Sequence, residues 1–397
     1  MGKMSKYLRQ IGFIYLIPFA FYLIDPFGKG FLFGYVLILV LLLNGKRLVP
    51  YLDSDFVFLS LFAISYALFY ALDRSSGVQL IFIYAFFPGF FYLFGKYLAV
   101  PNLSTSKLVL LFFGIGFVFS FSALISVLLD LRTGGFVQLS REIPMVWNGE
   151  PKKATLMSAY LTFNMCLPII YLIKQRKIPL VLQVLAGGVF VASLLSVFRL
   201  GSRTQLVITV LAIIISFLFV VPRQTIKANT KLFFFMILVV AFVLKFVPLN
   251  LDADYFSVLG SRLQESKNTS SAGGRTELWL QALENLFSHP LGWRGSHVRF
   301  AHNLWLDVAR FAGVIPFFLL LIFTGRSLRN TYKAIRKDPE KLFLNTTMLI
   351  FTLAAMLVFF VEPVMEGLFY LFTVYCLYQG IINQYLIQSK SAGATGQ

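Results

Sequence analysis

The sequence is poor in charged residues, and this shortage excludes an ordinary soluble domain. Only 13% of the 397 residues are charged and 58% are hydrophobic, whereas a soluble globular domain carries about 25% charged residues. The two cysteines, Cys166 and Cys376, each fall inside an apolar run. They exclude a disulfide framework and a cysteine-based metal spacing.

Long apolar runs fill most of the chain and predict an all-α, polytopic integral membrane protein. A helix needs about 20 apolar residues to cross the hydrocarbon core. We count about twelve runs, of which the first two are short enough to be tilted or re-entrant. They cover residues 11–24, 31–43, 56–72, 78–100, 108–129, 154–173, 179–198, 205–221, 232–247, 303–324, 343–361 and 367–386. We expect one transmembrane domain over residues 1–397.

Basic residues predict how this domain is oriented in the membrane. The net charge is +18, and an excess of Lys and Arg marks cytoplasmic loops that lie against anionic lipid. We expect both termini to be cytoplasmic and the N-terminal run to stay attached as an anchor, because no small-residue cleavage site follows it. Nucleic acid is excluded as a partner, because no loop has a basic patch with interleaved aromatics. The basic loops contain Lys46 with Arg47, Lys107, Lys174 with Arg176 and Lys177, Arg223 with Lys227, and residues 326–341.

Two long loops, at about 130–153 and 249–302, then lie on the outer side of the membrane, and the second holds most of the polar chemistry. All three histidines, His289, His297 and His302, fall in it. Residues 270–295 read as a Ser/Gly lead, a short helix and a Pro/Gly stop. The large loop is therefore expected to contain short helices.

The short helix in this loop is expected to begin with Thr276 as N-cap, directly after Arg275. A helix N-terminus attracts anions through its free backbone N–H groups, and an adjacent arginine strengthens the attraction. Apolar residues at helical spacing predict one apolar face that lies on the membrane surface or covers the span bundle. They are Trp279, Leu283, Leu286 and Phe287.

The segment "FRLGSRTQ" (198–205) places two arginines at the outer end of one span and the start of the next. If the turn is helical, Arg199 and Arg203 share a face; alternatively, Gly201 breaks the helix and Ser202 caps the next one. Either geometry puts two guanidinium groups near a helix start, which suits a diphosphate. The alternative is that the arginines snorkel to lipid headgroups.

The segment "HNLWLDVARFAG" (302–313) places polar residues where a span begins. If this span starts near Asn303, then Asn303, Asp307 and Arg310 lie on one helical stripe, and Asp307 can pair with Arg310. This pair is either purely structural or faces a wet cavity. His302 precedes the span at the water boundary, where an imidazole can exchange protons near neutral pH.

A metal site is not expected. His297 and His302 are five residues apart, which is not the i,i+4 spacing of a helical ligand pair. The "DAD" segment (252–254) resembles an acidic pair that holds a divalent ion beside a nucleotide sugar, but it lies outside, where nucleotide sugars are not expected. Glu362 and Glu366 fall in a short outer turn between the last two spans. They are either solvated carboxylates or a base that reaches the same cavity.

Three segments together resemble the O-antigen polymerase and O-antigen ligase superfamily of membrane glycosyltransferases. "FRLGSRTQ" is similar to the family's arginine-bearing segment, and "GGRTELWLQALENLFSHPLGWRG" (273–295) is similar to its outer loop. "HNLWLDVARFAGVIPFFLLL" (302–321) is similar to its His-Asn motif and the Gly-bearing span that follows. The last two segments, adjacent and in this order, are the specific signal. Pro316 departs from the pattern, since the family's span often has a second glycine there.

The resemblance implies a GT-C-like enzyme of the bacterial inner membrane that acts at the periplasmic face without metal or cofactor. Its donor and acceptor would be oligosaccharides on undecaprenyl diphosphate, and its other partners membrane lipids, a chain-length regulator and a flippase. We expect a polymerase that joins repeat units. The alternatives are a ligase that transfers the glycan to lipid A-core, and a polysaccharide or lipid transporter, which predicts repeated halves and charges near the midplane of several spans.

In the expected reaction, an acceptor hydroxyl attacks the anomeric carbon of the donor and expels undecaprenyl diphosphate. Fixed cations in a water-poor cavity stabilise the growing negative charge, and we assign this role to Arg199, Arg203 and Arg275. His302 would deprotonate or orient the hydroxyl, while Asn303 and Asp307 hold nearby groups. The identity of the base stays open among His302, Asp307, Glu362 and Glu366. The substrate-binding candidates are Arg294, Arg299, Arg310, Glu362 and Glu366.

Overall fold

The computed structural model is mostly helical, as the apolar runs predict. Helices make up 82% of the described structure, and at least six of them are apolar enough to cross a membrane, which is consistent with a polytopic membrane protein. The structure describes residues 11–72, 77–99, 103–137, 140–173, 178–246, 254, 257–258, 260, 275–293 and 300–394. Residues 1–10, which precede the predicted N-terminal anchor, and Arg294, His297 and Arg299 lie outside the described residues.

The first part of the chain forms five helices joined by short 3-10 turns. The helices are α1 (Phe13–Ile24), α2 (Gly30–Leu43), α3 (Ser54–Ala71), α4 (Val78–Leu98) and α5 (Thr105–Gly134). The 3-10 turns are Pro26–Gly28, Gly45–Arg47 and Val49–Tyr51.

The remainder contains one short β-ribbon and eleven further described helices. The middle elements are β1 (Glu142–Pro144), β2 (Pro151–Lys153), α6 (Ala154–Tyr160), the 3-10 turn Asn164–Cys166, α7 (Ile169–Leu172), α8 (Leu180–Leu200), α9 (Arg203–Val220), the 3-10 turn Val221–Arg223 and α10 (Ile226–Phe246). The late elements are α11 (Arg275–Ser288), α12 (Leu304–Ala312), α13 (Val314–Lys337), α14 (Leu342–Val361), α15 (Val364–Gly367) and α16 (Phe369–Ala394).

Six helices among the described residues are long and apolar enough to cross a membrane, namely α3, α4, α5, α8, α9 with its 3-10 extension, and α14. Two bent pairs raise the number to eight if each crosses as one span. The pair of α2 with Gly45–Tyr51 bends by 80°, and the pair of α6 with Asn164–Leu172 bends by 52°. The predicted count of twelve is not confirmed.

Two predicted spans differ from the helices found because polar residues and a break interrupt them. The run 303–324 divides at Gly313 into α12 and α13, and α13 continues into a basic segment that ends at Lys337. The run 367–386 lies on α16, which carries polar amide side chains such as Gln379 and Asn383. Both helices therefore have a lower mean hydropathy than the six spans.

Contacts group the chain into two compact units, each assembled from segments that are distant in sequence. Unit 1 comprises Met1–Leu108, Ser270–Pro339 and Ala355–Gln397, and unit 2 comprises Val109–Thr269 and Glu340–Ala354. The single transmembrane domain expected from the sequence stays a prediction. Each unit is described by itself.

In unit 1, two glycines allow α4 and α16 to pack backbone against backbone. A Cβ atom at Gly95 would lie 2.0 Å from the carbonyl oxygen of Leu377, and one at Gly380 would lie 2.0 Å from the carbonyl oxygen of Tyr92. Membrane helices associate through such small residues, because close backbones gain dispersion contacts that lipid does not provide. Any side chain at either position would force these helices apart.

Unit 1 also contains a buried polar group of side chains around Asp55, which we call the Asp55 cluster. The Asp55 carboxylate, 4% exposed, forms an ion pair with Arg326. It also accepts hydrogen bonds from the side-chain amides of Asn330 at 2.5 Å and Asn383 at 2.8 Å. Buried carboxylates persist where charge and hydrogen bonds compensate them. The cluster therefore ties α3 to α13 and α16.

In unit 2, β1 and β2 form an antiparallel ribbon within the predicted loop 130–153, with Glu142 opposite Lys153. The all-α prediction missed this ribbon. Asn148 and Gly149 precede β2, and Gly149 has a φ of 69°. Asn-Gly between two extended segments is a hairpin signal, so this dipeptide could have predicted the ribbon.

Unit 2 places a paired polar side chain at the break between α6 and α7. Asn164 is 2% exposed, and its amide donates to the hydroxyl oxygens of Ser120 at 2.7 Å and Ser193 at 3.1 Å. Such bonds satisfy polar groups that lipid cannot. They connect the broken helix to α5 and α8.

Candidate active site

The turn that carries His302 is held by the carboxylate of Asp307. The backbone N–H of Ala301 donates to Asp307 Oδ1 at 2.7 Å, and that of Asn303 donates to Oδ2 at 3.1 Å. His302 itself has a φ of 52°, in the left-handed region. Asn303 is the N-cap of α12, where its side-chain oxygen accepts the N–H of Leu306 at 3.2 Å.

The Pro-Leu-Gly-Trp segment (290–293) is hydrogen-bonded to the backbone on both sides of the break between α12 and α13. The N–H of Trp293 donates to the carbonyl of Arg310 at 2.9 Å, and the N–H of Val314 donates to the carbonyl of Pro290 at 2.9 Å. Gly313 has a φ of 80°, and a Cβ atom there would lie 2.1 Å from the Pro290 oxygen. Only glycine fits this approach, which explains why the two motifs occur together.

Helix α11 brings Arg275 and Trp279 to the His302 turn. The helix begins at Arg275, so Thr276 lies inside its first turn and the prediction that Thr276 is its N-cap is wrong. Arg275 Nη2 lies 3.9 Å from Glu362 Oε1. The indole Nε1 of Trp279 donates to the carbonyl of Ala301 at 2.8 Å.

The apolar face predicted for α11 divides into an inward and an outward part. Leu286 is buried together with Ala282. Leu283 and Phe287 are 48% and 73% exposed. The reason is that the apolar positions span a wide arc of α11, and only part of this arc contacts the rest of unit 1.

Arg310 and Asp307 bind other groups rather than each other, so the predicted i,i+3 pair is wrong. Arg310 Nη2 lies 3.4 Å from Glu366 Oε1, and its guanidinium carbon lies 4.2 Å from the centre of the Phe300 ring. The Asp307 carboxylate is turned toward the backbone of the preceding turn. Arg310 Nε is buried without a hydrogen-bond partner among the described residues.

The environment of His302 favours a neutral imidazole. Partial burial lowers the pKa of His302 from its ordinary value of 6.5, and the positive charge of Arg275 lowers it further. Its Nδ1 atom is buried and has no hydrogen-bond partner within the described part of the chain. A neutral imidazole near pH 7 is able to accept a proton.

Arg199 and Arg203 lie in unit 2, on either side of a helix break. Gly201 ends α8 with a φ of 58°, and Ser202 is the N-cap of α9, although its side chain makes no capping hydrogen bond. The alternative in which Gly201 breaks the helix is therefore confirmed. Arg203 is the first residue of α9 and is half-buried.

The guanidinium of Arg199 is fully buried and bound. Its Nε lies 2.8 Å from Asp130 Oδ2, and its Nη1 donates to the carbonyl of Ser140 at 3.1 Å. Sequence patterns missed Asp130, which stands alone at the end of an apolar run, 69 residues from its partner. The predicted contact of Arg199 with a diphosphate stays a prediction.

Residues 188–321 match the sequence model of a family described as O-antigen ligase. This part of the chain is therefore similar to the O-antigen ligase family. This confirms the resemblance to the O-antigen polymerase and ligase superfamily, whose members are glycosyltransferase-like enzymes. The match covers about a third of the chain, including both arginine segments and the His-Asn motif. No curated protein sequence matches the chain.

Within the matched range, the structure brings several predicted site residues together in unit 1. Arg275, His302, Asn303, Asp307 and Arg310 belong to α11, α12 and the turn before α12. Glu362 and Glu366, outside the matched range, reach Arg275 and Arg310. No group of three or more metal-ligating side chains occurs among the residues that the structure describes. The site thus combines a neutral base with a partly exposed cation.

Proposed function

We propose that this protein is an O-antigen polymerase that joins undecaprenyl-diphosphate-linked oligosaccharide repeat units at the periplasmic face of the bacterial inner membrane. The observation that carries this proposal is the half-buried imidazole of His302, whose pKa is lowered by burial and by the nearby Arg275. A proton acceptor beside a guanidinium suits a reaction that deprotonates a hydroxyl and expels a diphosphate. The family match supports a glycosyltransferase of this kind.

In the proposed reaction, a hydroxyl oxygen of the acceptor sugar attacks the anomeric carbon of the donor glycan. A new carbon–oxygen bond forms, and the bond between that carbon and the diphosphate oxygen breaks with its electron pair. The hydroxyl proton passes to the imidazole of His302. Arg275 stabilises the negative charge that grows on the leaving diphosphate, because a forked guanidinium matches phosphate oxygens.

Arg203 and Arg199 are the further cations of the proposal. Arg203 is half-buried at the first turn of α9, where free backbone N–H groups also favour an anion. Arg199 is already bound to Asp130, so it holds the segment around Ser140 while it contributes positive charge. Membrane lipids, a flippase and a chain-length regulator complete the expected partners.

An O-antigen ligase is the second candidate, because the matched family is described by that activity. A ligase uses the same donor and the same leaving group, and it differs only in its acceptor, the core sugars of lipid A. The loops that bind the acceptor determine whether the enzyme is a polymerase or a ligase. The catalytic roles of His302 and Arg275 are the same in both.

Deletion of the gene in a cell that produces surface polysaccharide tests the proposal. Lipopolysaccharide that carries a single repeat unit on its core indicates a lost polymerase. Bare core with accumulated lipid-linked polymer indicates a lost ligase, and an unchanged ladder overturns both. Complementation with His302→Gln is expected to fail, whereas His289→Gln, which alters an exposed histidine at the end of α11, is expected to succeed.

A further inference from the structure

We propose that Asp307 and Trp279 are positioning residues that hold the backbone on both sides of His302 and thereby set its imidazole relative to Arg275. The inference rests on the proposed function, and it assigns the role of base to His302 rather than to Asp307. It follows from three hydrogen bonds that converge on residues 301–303.

The backbone at His302 needs support from outside the turn. Its φ of 52° places it among three described non-glycine residues with a positive φ. This conformation costs an L-residue free energy through contact of its Cβ atom with the backbone. It persists only where surrounding contacts fix it, and such strain is concentrated at functional sites.

Asp307 supplies one half of that support. Its two carboxylate oxygens accept the N–H groups of Ala301 and Asn303, the residues directly before and after His302. Ala301 is 2% exposed and Asn303 is 4% exposed, so neither N–H can bind water instead. An ionised carboxylate is the side chain that accepts two such bonds without bringing a donor of its own. The Asp307 carboxylate therefore holds residues 301 and 303 at a fixed distance from each other.

Trp279 supplies the other half and connects the turn to Arg275. Its indole N–H donates to the carbonyl of Ala301 at 2.8 Å. Arg275 and Trp279 are four residues apart on α11, so their side chains lie on the same face, one turn from each other. The bond from Trp279 thus fixes the distance between the Arg275 guanidinium and the His302 imidazole.

These contacts separate a positioning role from that of a base. Asp307 is 5% exposed and directs both oxygens at backbone N–H groups, whereas His302 is half-buried. A base must reach the hydroxyl proton that it removes. Of Asp307 and His302, only the imidazole has the exposure to do so.

Two substitutions and one control test the inference in purified protein assayed with lipid-linked repeat units. Asp307→Asn keeps one acceptor and introduces a donor opposite an N–H group, and Trp279→Phe keeps the ring and removes the donor. A displacement of about 1 Å at a catalytic group costs about 100-fold in rate. We expect kcat to fall by that order in both variants, while KM changes by less than about threefold because the diphosphate-binding cations remain.

The control is Trp305→Phe, which removes an indole hydrogen bond from α12 without touching the His302 turn. Trp305 Nε1 donates to Thr324 Oγ1 at 3.2 Å and ties α12 to α13. We expect a loss of thermal stability comparable to that of Trp279→Phe and a kcat near that of the wild type. Equal losses of kcat in Trp279→Phe and Trp305→Phe would overturn the inference, since both would then act through stability alone.

The pH profile of kcat separates the two roles of Asp307. If it positions His302, the acidic limb of the profile stays in Asp307→Asn at a reduced height. Loss of that limb in Asp307→Asn, together with full activity in Trp279→Phe, would identify Asp307 as the base and contradict us.

A readout independent of activity uses the fact that the chain has three histidines. With His289 and His297 both replaced by Gln, diethylpyrocarbonate modifies His302 as the single histidine, and amide exchange is followed in peptides that cover residues 300–306. We expect Asp307→Asn and Trp279→Phe to speed both reactions by about tenfold, as local opening becomes easier. Unchanged rates in both variants would overturn the inference. If the wild type lacks transferase activity, the proposed function fails while these rates still test the positioning.

Discussion

Arg199 and Arg275 are predicted from the sequence to perform the same task, yet the structure surrounds them differently. Arg199 is 0% exposed and lies 2.8 Å from a carboxylate that is 9% exposed. Arg275 is 32% exposed and lies 3.9 Å from its carboxylate. A guanidinium that is already enclosed supports the fold, whereas one with a distant partner and open surface can exchange that partner for a ligand.

The largest expected effect is the loss of stability when Arg199 is removed. Arg199→Ala removes the guanidinium that lies 2.8 Å from the buried carboxylate of Asp130, and breaking a buried ion pair in this way costs about 3–5 kcal/mol. Arg275→Ala is expected to melt near the wild-type temperature. Thermal unfolding in detergent measures both variants.

The double variant Arg199→Met with Asp130→Leu is the matched control. Replacing both charges by apolar groups removes the buried carboxylate together with the guanidinium, so most of the lost stability is expected to return. A stable Arg199→Ala protein without transferase activity would contradict the structural role of Arg199. It would show that this guanidinium, like that of Arg275, acts on the substrate.

The second effect concerns Arg275 as a forked donor. Arg275→Lys keeps the positive charge and loses the two parallel N–H groups that match a phosphate. We expect activity to fall by about 100-fold, as when a transition-state donor is removed, with normal insertion in the membrane. Full activity of the lysine variant would exclude Arg275 from the diphosphate role.

The third effect is a shift of the acidic limb of the pH profile. Since burial and the Arg275 charge lower the pKa of His302, activity should decline only below pH 6.5, where the imidazole gains a proton. Arg275→Gln removes the cation, so the pKa of His302 rises and the limb moves to higher pH. In Arg223→Gln, which alters an exposed arginine, the limb is expected to stay in place. A limb that does not move in Arg275→Gln would mean that His302 is not the titrating base.

The smallest effect is expected at Glu362. Its pair with Arg275 is long and partly exposed, and pairs of this kind contribute at most about 1 kcal/mol. Glu362→Gln should therefore melt close to the wild type, in contrast to Asp130→Asn. A fall in melting temperature as large as that of Asp130→Asn would show that the ion pairs of Arg275 and Arg199 stabilise the protein equally.

The sequence was sufficient to predict candidate residues of the site but not their partners. Arg275, His302 and Asn303 stand in local motifs, and the structure places them on α11 and at the start of α12. Glu366 follows Arg310 by 56 residues, and no local periodicity connects positions so far apart. The predicted pair of Asp307 with Arg310 was wrong because helical spacing permits a contact but does not select it. Arg310 binds the distant Glu366 instead.

The predicted spans differ from the helices of the structure where the backbone departs from an ideal helix. The left-handed Gly313 divides one predicted span. The 3-10 turn Asn164–Cys166 bends another. Hydropathy averages over such breaks, because it measures composition and contains no information about backbone direction. The β-ribbon was missed because its strands have three residues each, which is too short for a period-2 pattern.

The Asp55 cluster has a consequence for biosynthesis. Asn383, one of the groups that bind Asp55, is separated from it by 328 residues. At about 5–20 residues per second, a ribosome needs roughly 15–65 s to cover that stretch. The acidic group at the start of α3 gains Arg326 after 271 residues and Asn383 only after 328, so its set of neighbours is completed last by α16. Transcripts truncated before α16 should therefore yield products that quality-control proteases remove.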